Sequence, residues 1–296
     1  MCSSDLFLGG VVPAAVREGR EPEQVRTVAA VPDWSGKATP VQARALRVLG
    51  GAAIDLAEAA RAARCTPSVF QRLAAAGAVT LGTRAAVQEL RLEARDERFP
   101  PTAEQQAAIA AVADGGATPW LLHGVTGSGK TLVYLELIER VVAQGRQALL
   151  LVPEIGLTPQ LAARVRTRFP RTAIWHSGLS DGERTTAWRD CAAGRADIVL
   201  GTRSALFAPL RAPGIIIVDE EHEHSYKQEQ VPRYHARDLA VVYAKQLGVP
   251  LVLGSATPSL ESIHNVRAGR YRALRLAQRP AGAVLPQVEV VDMRAE

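Results

Sequence analysis

The sequence predicts an α/β fold, with a parallel sheet and helices on both faces over residues 98–280, preceded by a smaller helical domain over 40–97. Three observations predict it. Apolar runs of strand length at 120–123, 148–152, 173–176, 197–200, 215–218 and 251–253 alternate with amphipathic stretches of helix length. Such alternation calls for parallel strands joined by crossover helices in three layers. A glycine-rich loop, 124–131 (GVTGSGKT), stands between the first of these strands and the helix after it. The charged stretch 91–101 ends in Pro100-Pro101, a break that puts the domain boundary near residue 98.

Residues 1–10 lack the basic n-region and long apolar core of a secretory signal, and they do not read as the native start of a domain. Residues 17–40 are polar and broken by Pro22, Pro32, Gly36 and Pro40, so 1–39 reads as a linker or the remnant of a preceding domain. Short Ala-, Leu- and Val-rich helices follow at 41–49, 55–64 and 68–76. Thr66 caps the third and Pro67 occupies its first position, where proline loses no needed N–H; Gly77 stops it. Strands at 79–81 and 86–90, turning through Gly82, would form a hairpin, and three helices with a hairpin make a winged helix. Its third helix carries Arg72 as its only cation, so duplex contact and a spacer role both stay open. Residues 281–296 read as the start of a connection to a further module.

At 296 residues there is room for two domains, each with its own core. Hydrophobic residues make up 47% of the chain, yet nowhere do about 18 of them run uninterrupted, so no membrane role is expected. The net charge of +5 permits a polyanionic partner and is too small, against 35 basic and 30 acidic side chains, to argue for one. Cys2, Cys65 and Cys191 are widely spaced and form no CxxC, so neither a disulfide framework nor a zinc knuckle is expected, and a reducing cytoplasm fits.

The segment 124–131 matches G-x-x-x-x-G-K-[ST] in the setting that the chemistry needs, after a strand and before a helix. Gly124, Thr126, Gly127, Ser128 and Gly129 would wrap ATP phosphates with backbone N–H groups, Lys130 would reach the β- and γ-phosphates, and Thr131 would ligate Mg2+. The apolar strand 215–218 runs into Asp219-Glu220-Glu221-His222. Asp219 at its end would hold the magnesium, and Glu220 would polarise the attacking water. Gln105 opens the first helix of this domain, where its amide can read adenine or close a capping box with Thr102; both readings stand.

Gly254-Ser255-Ala256-Thr257-Pro258 follows a buried strand as in superfamily 2 helicases. The blocks GVTGSGKTLVY (124–134), LLVPEIGLTPQ (150–160), HSGL (176–179), GTRSALF (201–207), DEEH (219–222), SYKQ (225–228), RYHARD (233–238) and GSATPSLES (254–262) resemble, in order, the PriA family of replication-restart DNA helicases. The resemblance covers about residues 40–296 and is strongest from 118 to 265. It implies a RecA-like P-loop motor lobe using ATP and Mg2+, forked and single-stranded DNA as substrate, unwinding from 3′ to 5′, and other primosome proteins and single-strand-binding protein as partners.

Carried over by position, the resemblance places Pro153, Glu154, Thr158 and Gln160 on one DNA-facing loop and Thr202, Arg203 and Ser204 on another. His222, Ser255 and Thr257 would couple nucleotide to DNA. Tyr226, Lys227, Arg233, Tyr234 and Arg237 would belong to an aromatic-rich loop that senses DNA, by stacking on bases and tracking phosphates. Val231 stands where the family commonly has glycine, and Leu132 where it often has Glu. The family also carries a DNA 3′-end-binding domain, a zinc module and a second lobe with an arginine finger; their residues, zinc ligands included, are absent from this chain. The expectation is a piece that binds ATP and hydrolyses it poorly, since an arginine finger is worth about 10³–10⁵ in turnover. An ATP-gated DNA-binding module without turnover, or another P-loop ATPase, is the alternative.

Overall fold

The computed structural model describes residues 12–19, 24–32, 34–50, 53–85 and 99–277. The chain divides into two compact units, one of Leu8–Glu89 with Gly178–Arg189, the other of Met1–Phe7, Leu90–Ser177 and Asp190–Glu296. The expected boundary at 98, the start at 1–10 and the connection at 281–296 lie outside the described residues.

In the first unit, β1 (Gln24–Ala30), α1 (Pro40–Arg47), β2 (Ile54–Asp55), α2 (Leu56–Ala62), α3 (Pro67–Ala75) and β3 (Val79–Ala85) follow one another. Thr39 and Gln42 form a reciprocal capping box at α1, and the Asp55 carboxylate accepts from Glu58 N at the start of α2. Thr66 does occupy the cap of α3, yet its hydroxyl pairs with Ser68 Oγ at 2.8 Å instead of the helix backbone. Gly77 stops the helix in the left-handed region at φ 71°. Val28, Leu56, Phe70, Leu73 and Val79 close a core around the alanines of α2.

Two expectations for this unit need correction. Residues 24–30, read as linker, form the central strand of an antiparallel sheet ordered β2-β1-β3. Gly82, read as the hairpin turn, lies inside β3 opposite Thr27, and β3 runs unbroken from 79 to 85 along β1. The breakers around β1 hid it, because a strand whose partner is about fifty residues away carries no local turn signal. The second hairpin arm, 86–90, lies outside the described residues.

The second unit contains α4 (Ala103–Asp114), β4 (Pro119–Gly124), α5 (Lys130–Ala143), β5 (Gln147–Leu151), α6 (Pro159–Arg168) and β6 (Thr172–Trp175). After α7 (Asp181–Ala192), whose residues up to Arg189 belong to the first unit, come β7 (Ile198–Gly201), β8 (Pro213–Val218), β9 (Lys227–Gln228), β10 (Tyr234–His235), α8 (Ala236–Leu247), β11 (Leu251–Ser255), α9 (Leu260–Arg267) and β12 (Arg272–Leu276). Seven strands pair in the order β12-β4-β11-β8-β5-β7-β6, every pairing parallel. All six expected strands are present; β12 was not foreseen.

Strand residues β5 and β11 are buried throughout, as a sheet covered on both faces requires. Leu150, Ile215 and Ile217 share a core with Val133, Leu137 and Ile138 of α5. Ile216 and Val218, equally buried, face the other way by the period of two, and α8 packs against β8 and β11. The chain leaves β4, passes over the slots of β11 and β8, and enters at β5. The carboxyl ends of β4 and β8 therefore flank β11, the position at which open parallel sheets bind ligands.

Candidate nucleotide-binding site

Gly127 (φ 80°) and Gly129 (φ 82°) let the loop after β4 curl, and Gly129 is the N-cap of α5. Two glycines are required by crowding. A Cβ on Gly124 would stand 2.4 Å from Ser128 Oγ, and one on Gly129 would stand 2.3 Å from Gln105 Nε2. Lys130, only 8% exposed, donates to Gly124 O at 3.1 Å and lies 3.3 Å from Glu220 Oε1. Its ammonium is thus held at the mouth of the loop between a carbonyl and a carboxylate, both of which an incoming phosphate can replace.

Asp219 Oδ1 accepts from Tyr134 Oη at 2.9 Å and from Glu220 N at 3.0 Å, while its carbonyl accepts from Tyr226 Oη at 2.6 Å. Burial, and then the adjacent Glu220 charge, push the Asp219 carboxyl above its usual range; the Tyr134 hydrogen bond and Lys130 offset part of this. Glu220 takes the left-handed region at φ 42°, an unfavourable conformation for a side chain with a Cβ, and so turns its carboxylate toward Lys130. His222 Nδ1 lies 2.9 Å from Ser255 Oγ, and its Nε2 lies 3.2 Å from Thr257 Oγ1. The DEEH and Ser-Ala-Thr segments are therefore in direct contact.

One cavity of about 710 Å³ is lined by Thr126 to Leu132, by Asp219 and Glu220, and by Phe99, Pro100 and Arg164. Asp219 and Glu220 bring two carboxylates to this cavity, with Lys130 and Arg164 as the cations that line it. Among the described residues no group of three or more His, Cys, Asp or Glu side chains could hold a metal by itself. Magnesium is usually held by one or two carboxylates, waters and the substrate's phosphates. Thr131 and Asp219, lining the same cavity, are the residues that fit it.

Gln105 closes the capping box, its Oε1 accepting from Thr102 N at 2.8 Å, and its Nε2 donates to Ser128 O at 2.8 Å. At 1% exposure the amide is engaged at both ends. Capping is thus one of its roles and bracing the phosphate loop another; the amide has a second N–H and a second lone pair beyond these bonds, and Gln105 lines the same cavity.

Of the expected DNA-facing loops, Glu154 and Gln160 are exposed, Thr158 caps α6 by accepting from Leu161 N, and Pro153 and Thr202 are buried. Ser204 is half-buried. Arg203 donates to Ser225 O (3.0 Å) and Lys227 O (3.2 Å), so its guanidinium clasps the segment after the DEEH box. Lys227 and Arg233 are exposed, and Tyr234 packs edge-on against Phe207 with centroids 5.1 Å apart. Two readings need correction: Tyr226 is 0% exposed and cannot stack on a base in this arrangement, and Arg237 is buried against Glu221.

Sequence reasoning missed Glu221 and Tyr134. Glu221, 0% exposed, accepts from Ser259 N (2.7 Å), Ser259 Oγ (2.9 Å), Ser262 Oγ (2.9 Å) and Arg237 Nη1 (3.1 Å). It ties β8, α8 and the cap of α9 together. The available signal was a third consecutive carboxylate, more than catalysis requires.

A model of the DEAD/DEAH box helicase family matches residues 102–266, more than half of the chain. The chain is 48% identical over 207 residues to the replication restart protein PriA of Bacillus subtilis (strain 168), covering 68% of this chain and 26% of that protein. To the replication restart protein PriA of Synechocystis sp. (strain ATCC 27184 / PCC 6803 / Kazusa) it is 45% identical over 275 residues, covering 89% of this chain and 33% of that one. The chain spans about a quarter to a third of the length of these curated relatives. Among solved structures, RecG bound to a three-way DNA junction aligns with TM-score 0.48 and 22% identity, over 62% of this chain and 25% of the other.

Proposed function

The chain belongs to the DEAD/DEAH box helicase family, and from that premise we propose that its second unit is the ATP-binding lobe of a replication-restart DNA helicase. The observation that supports this most directly is the meeting of Lys130, Asp219 and Glu220 at one cavity, with His222 bonded to Ser255 and Thr257. The phosphate loop and the N-terminus of α5 bind the triphosphate, Lys130 neutralises its charge, and Glu220 orients and deprotonates the attacking water. Bound magnesium supplies charge neutralisation on the phosphates, with Thr131 and Asp219 as its protein partners. A change at the nucleotide is felt at Ser255 and Thr257 through His222.

The substrate class we assign is forked and single-stranded DNA, unwound from 3′ to 5′ by the complete two-lobe protein at the chromosome in the cytoplasm, with other primosome proteins and single-strand-binding protein as partners. The relatives named above support this reading. Glu154, Gln160, Lys227 and Arg233 are the exposed side chains offered to DNA. The first unit we read as a winged helix that positions duplex, and a zinc module as part of the longer protein.

Lys130 and Arg164 are the cations lining the cavity. Neither is an arginine finger brought in from a second lobe, so binding with little turnover is the behaviour expected of the lobe alone. Fluorescent-nucleotide titration and phosphate release, with and without forked DNA, beside Lys130→Ala, test this. The expected result is Mg-ATP binding weakened at least tenfold in the variant. Equal binding by both chains refutes the assignment.

A further inference from the structure

We propose that Tyr134 is a positioning residue for the magnesium-binding carboxylate, a role that rests on the nucleotide-site reading above and adds a residue to it. Tyr134 sits one helical turn after Lys130 on α5, so its side chain leaves the helix on the same face as the lysine. It is 1% exposed, and its hydroxyl donates to Asp219 Oδ1 at 2.9 Å. Asp219 is thereby joined to the helix that begins at the phosphate loop, across 85 residues of chain.

The same hydroxyl presses on a third element. A Cβ built on Gly254 would stand 1.6 Å from Tyr134 Oη and 2.8 Å from its Cζ. Gly254 immediately precedes Ser255, the residue bonded to His222. Position 254 is thus a glycine because the tyrosine ring occupies the space of a side chain. One buried phenol touches the helix that carries Lys130, the end of β8 and the last turn of β11 before Ser-Ala-Thr.

Chemically, a phenol suits this task. It donates one hydrogen bond to a carboxylate oxygen and leaves the second oxygen open to a cation or its water shell. It also carries no charge at neutral pH, as any phenol does. A lysine there would neutralise Asp219 and compete with the metal. Tyr226 Oη holds the Asp219 carbonyl at 2.6 Å from the other side, so main chain and side chain are fixed independently. Of the two phenols, Tyr134 is the one that bonds the carboxylate, whose Oδ1 also accepts from Glu220 N at 3.0 Å.

The test is nucleotide affinity measured on the full chain with a fluorescent ADP, once with Mg2+ and once with chelator, for wild type, Tyr134→Phe, Asp219→Asn and the double variant. The ring stays in Tyr134→Phe, and thermal unfolding reports whether the core holds. Expected is a roughly tenfold loss of affinity in Mg2+, the scale of one hydrogen bond to a charged group, and a change under twofold in chelator. On the Asp219→Asn background the Tyr134→Phe substitution should add less than twofold. Equal weakening in both conditions, whether from a general packing loss or from misfolding, overturns the proposal, and so does no weakening in either. If wild type itself shows no Lys130-dependent binding, the nucleotide-site reading fails instead.

Discussion

Replacing Glu221 with alanine removes a carboxylate that accepts four hydrogen bonds at 2.7–3.1 Å and carries no exposed surface. Breaking a buried ion pair on one side costs about 3–5 kcal/mol, because the surviving charge stays out of water. Arg237, with its side chain 9% exposed, keeps Asp238 at 2.8 Å, which argues for the lower end, about 3 kcal/mol. The Ser259 and Ser262 hydroxyls lose an acceptor at the start of α9, where Ser259 is itself the cap. For a unit of this size about 1 kcal/mol moves the melting temperature by about 2–4 °C, so a fall of about 6–12 °C is expected by differential scanning calorimetry. Glu221→Gln, which keeps the shape and one acceptor oxygen, should fall between the two. A shift below about 2 °C for the alanine variant would mean that the pair is solvated and that the junction of β8, α8 and α9 is held by other contacts.

Burial first, and then the neighbouring Asp190 charge, push the Cys191 thiol up to about 12, so at pH 8 a maleimide should label Cys191 only after denaturant is added, as read by mass spectrometry of the digested protein. Labelling of the native chain at Cys191 at the rate of the half-buried Cys65 would contradict the burial of that thiol. Burial holds His235 below its ordinary 6.5, more than Asp238 raises it. As pH falls the unfolded chain therefore takes up this proton first; the stability linked to His235 is full above about 6.5 and is lost as pH drops through the lower folded value. His235→Gln should flatten urea midpoints across that acidic window, and an unchanged pH profile would refute the linkage.

The parallel sheet, its six foreseen strands and the phosphate loop were legible in the sequence because each is written locally. A strand buried on both faces is a run of apolar residues, a loop that must wrap phosphates is glycine-rich, and a carboxylate at a strand end follows directly from the strand. The central strand of the first unit was not legible, since its partners β2 and β3 are distant in the chain and its flanks look like linker. The aromatic-rich segment was read as DNA-facing from its resemblance to a family loop, and a match of residues by position does not say which way each side chain points. Only the fold turned Tyr226 inward onto the Asp219 carbonyl and Arg237 onto Glu221, and only the fold laid the Tyr134 ring against Gly254. Local pattern thus determined which elements form and where phosphate would bind. Which polar groups are buried together was decided by strand order, because β4, β11 and β8 lie side by side, Pro119 of β4 pairing with Leu251 of β11, far along the chain, and β8 pairing with β11 on its other edge.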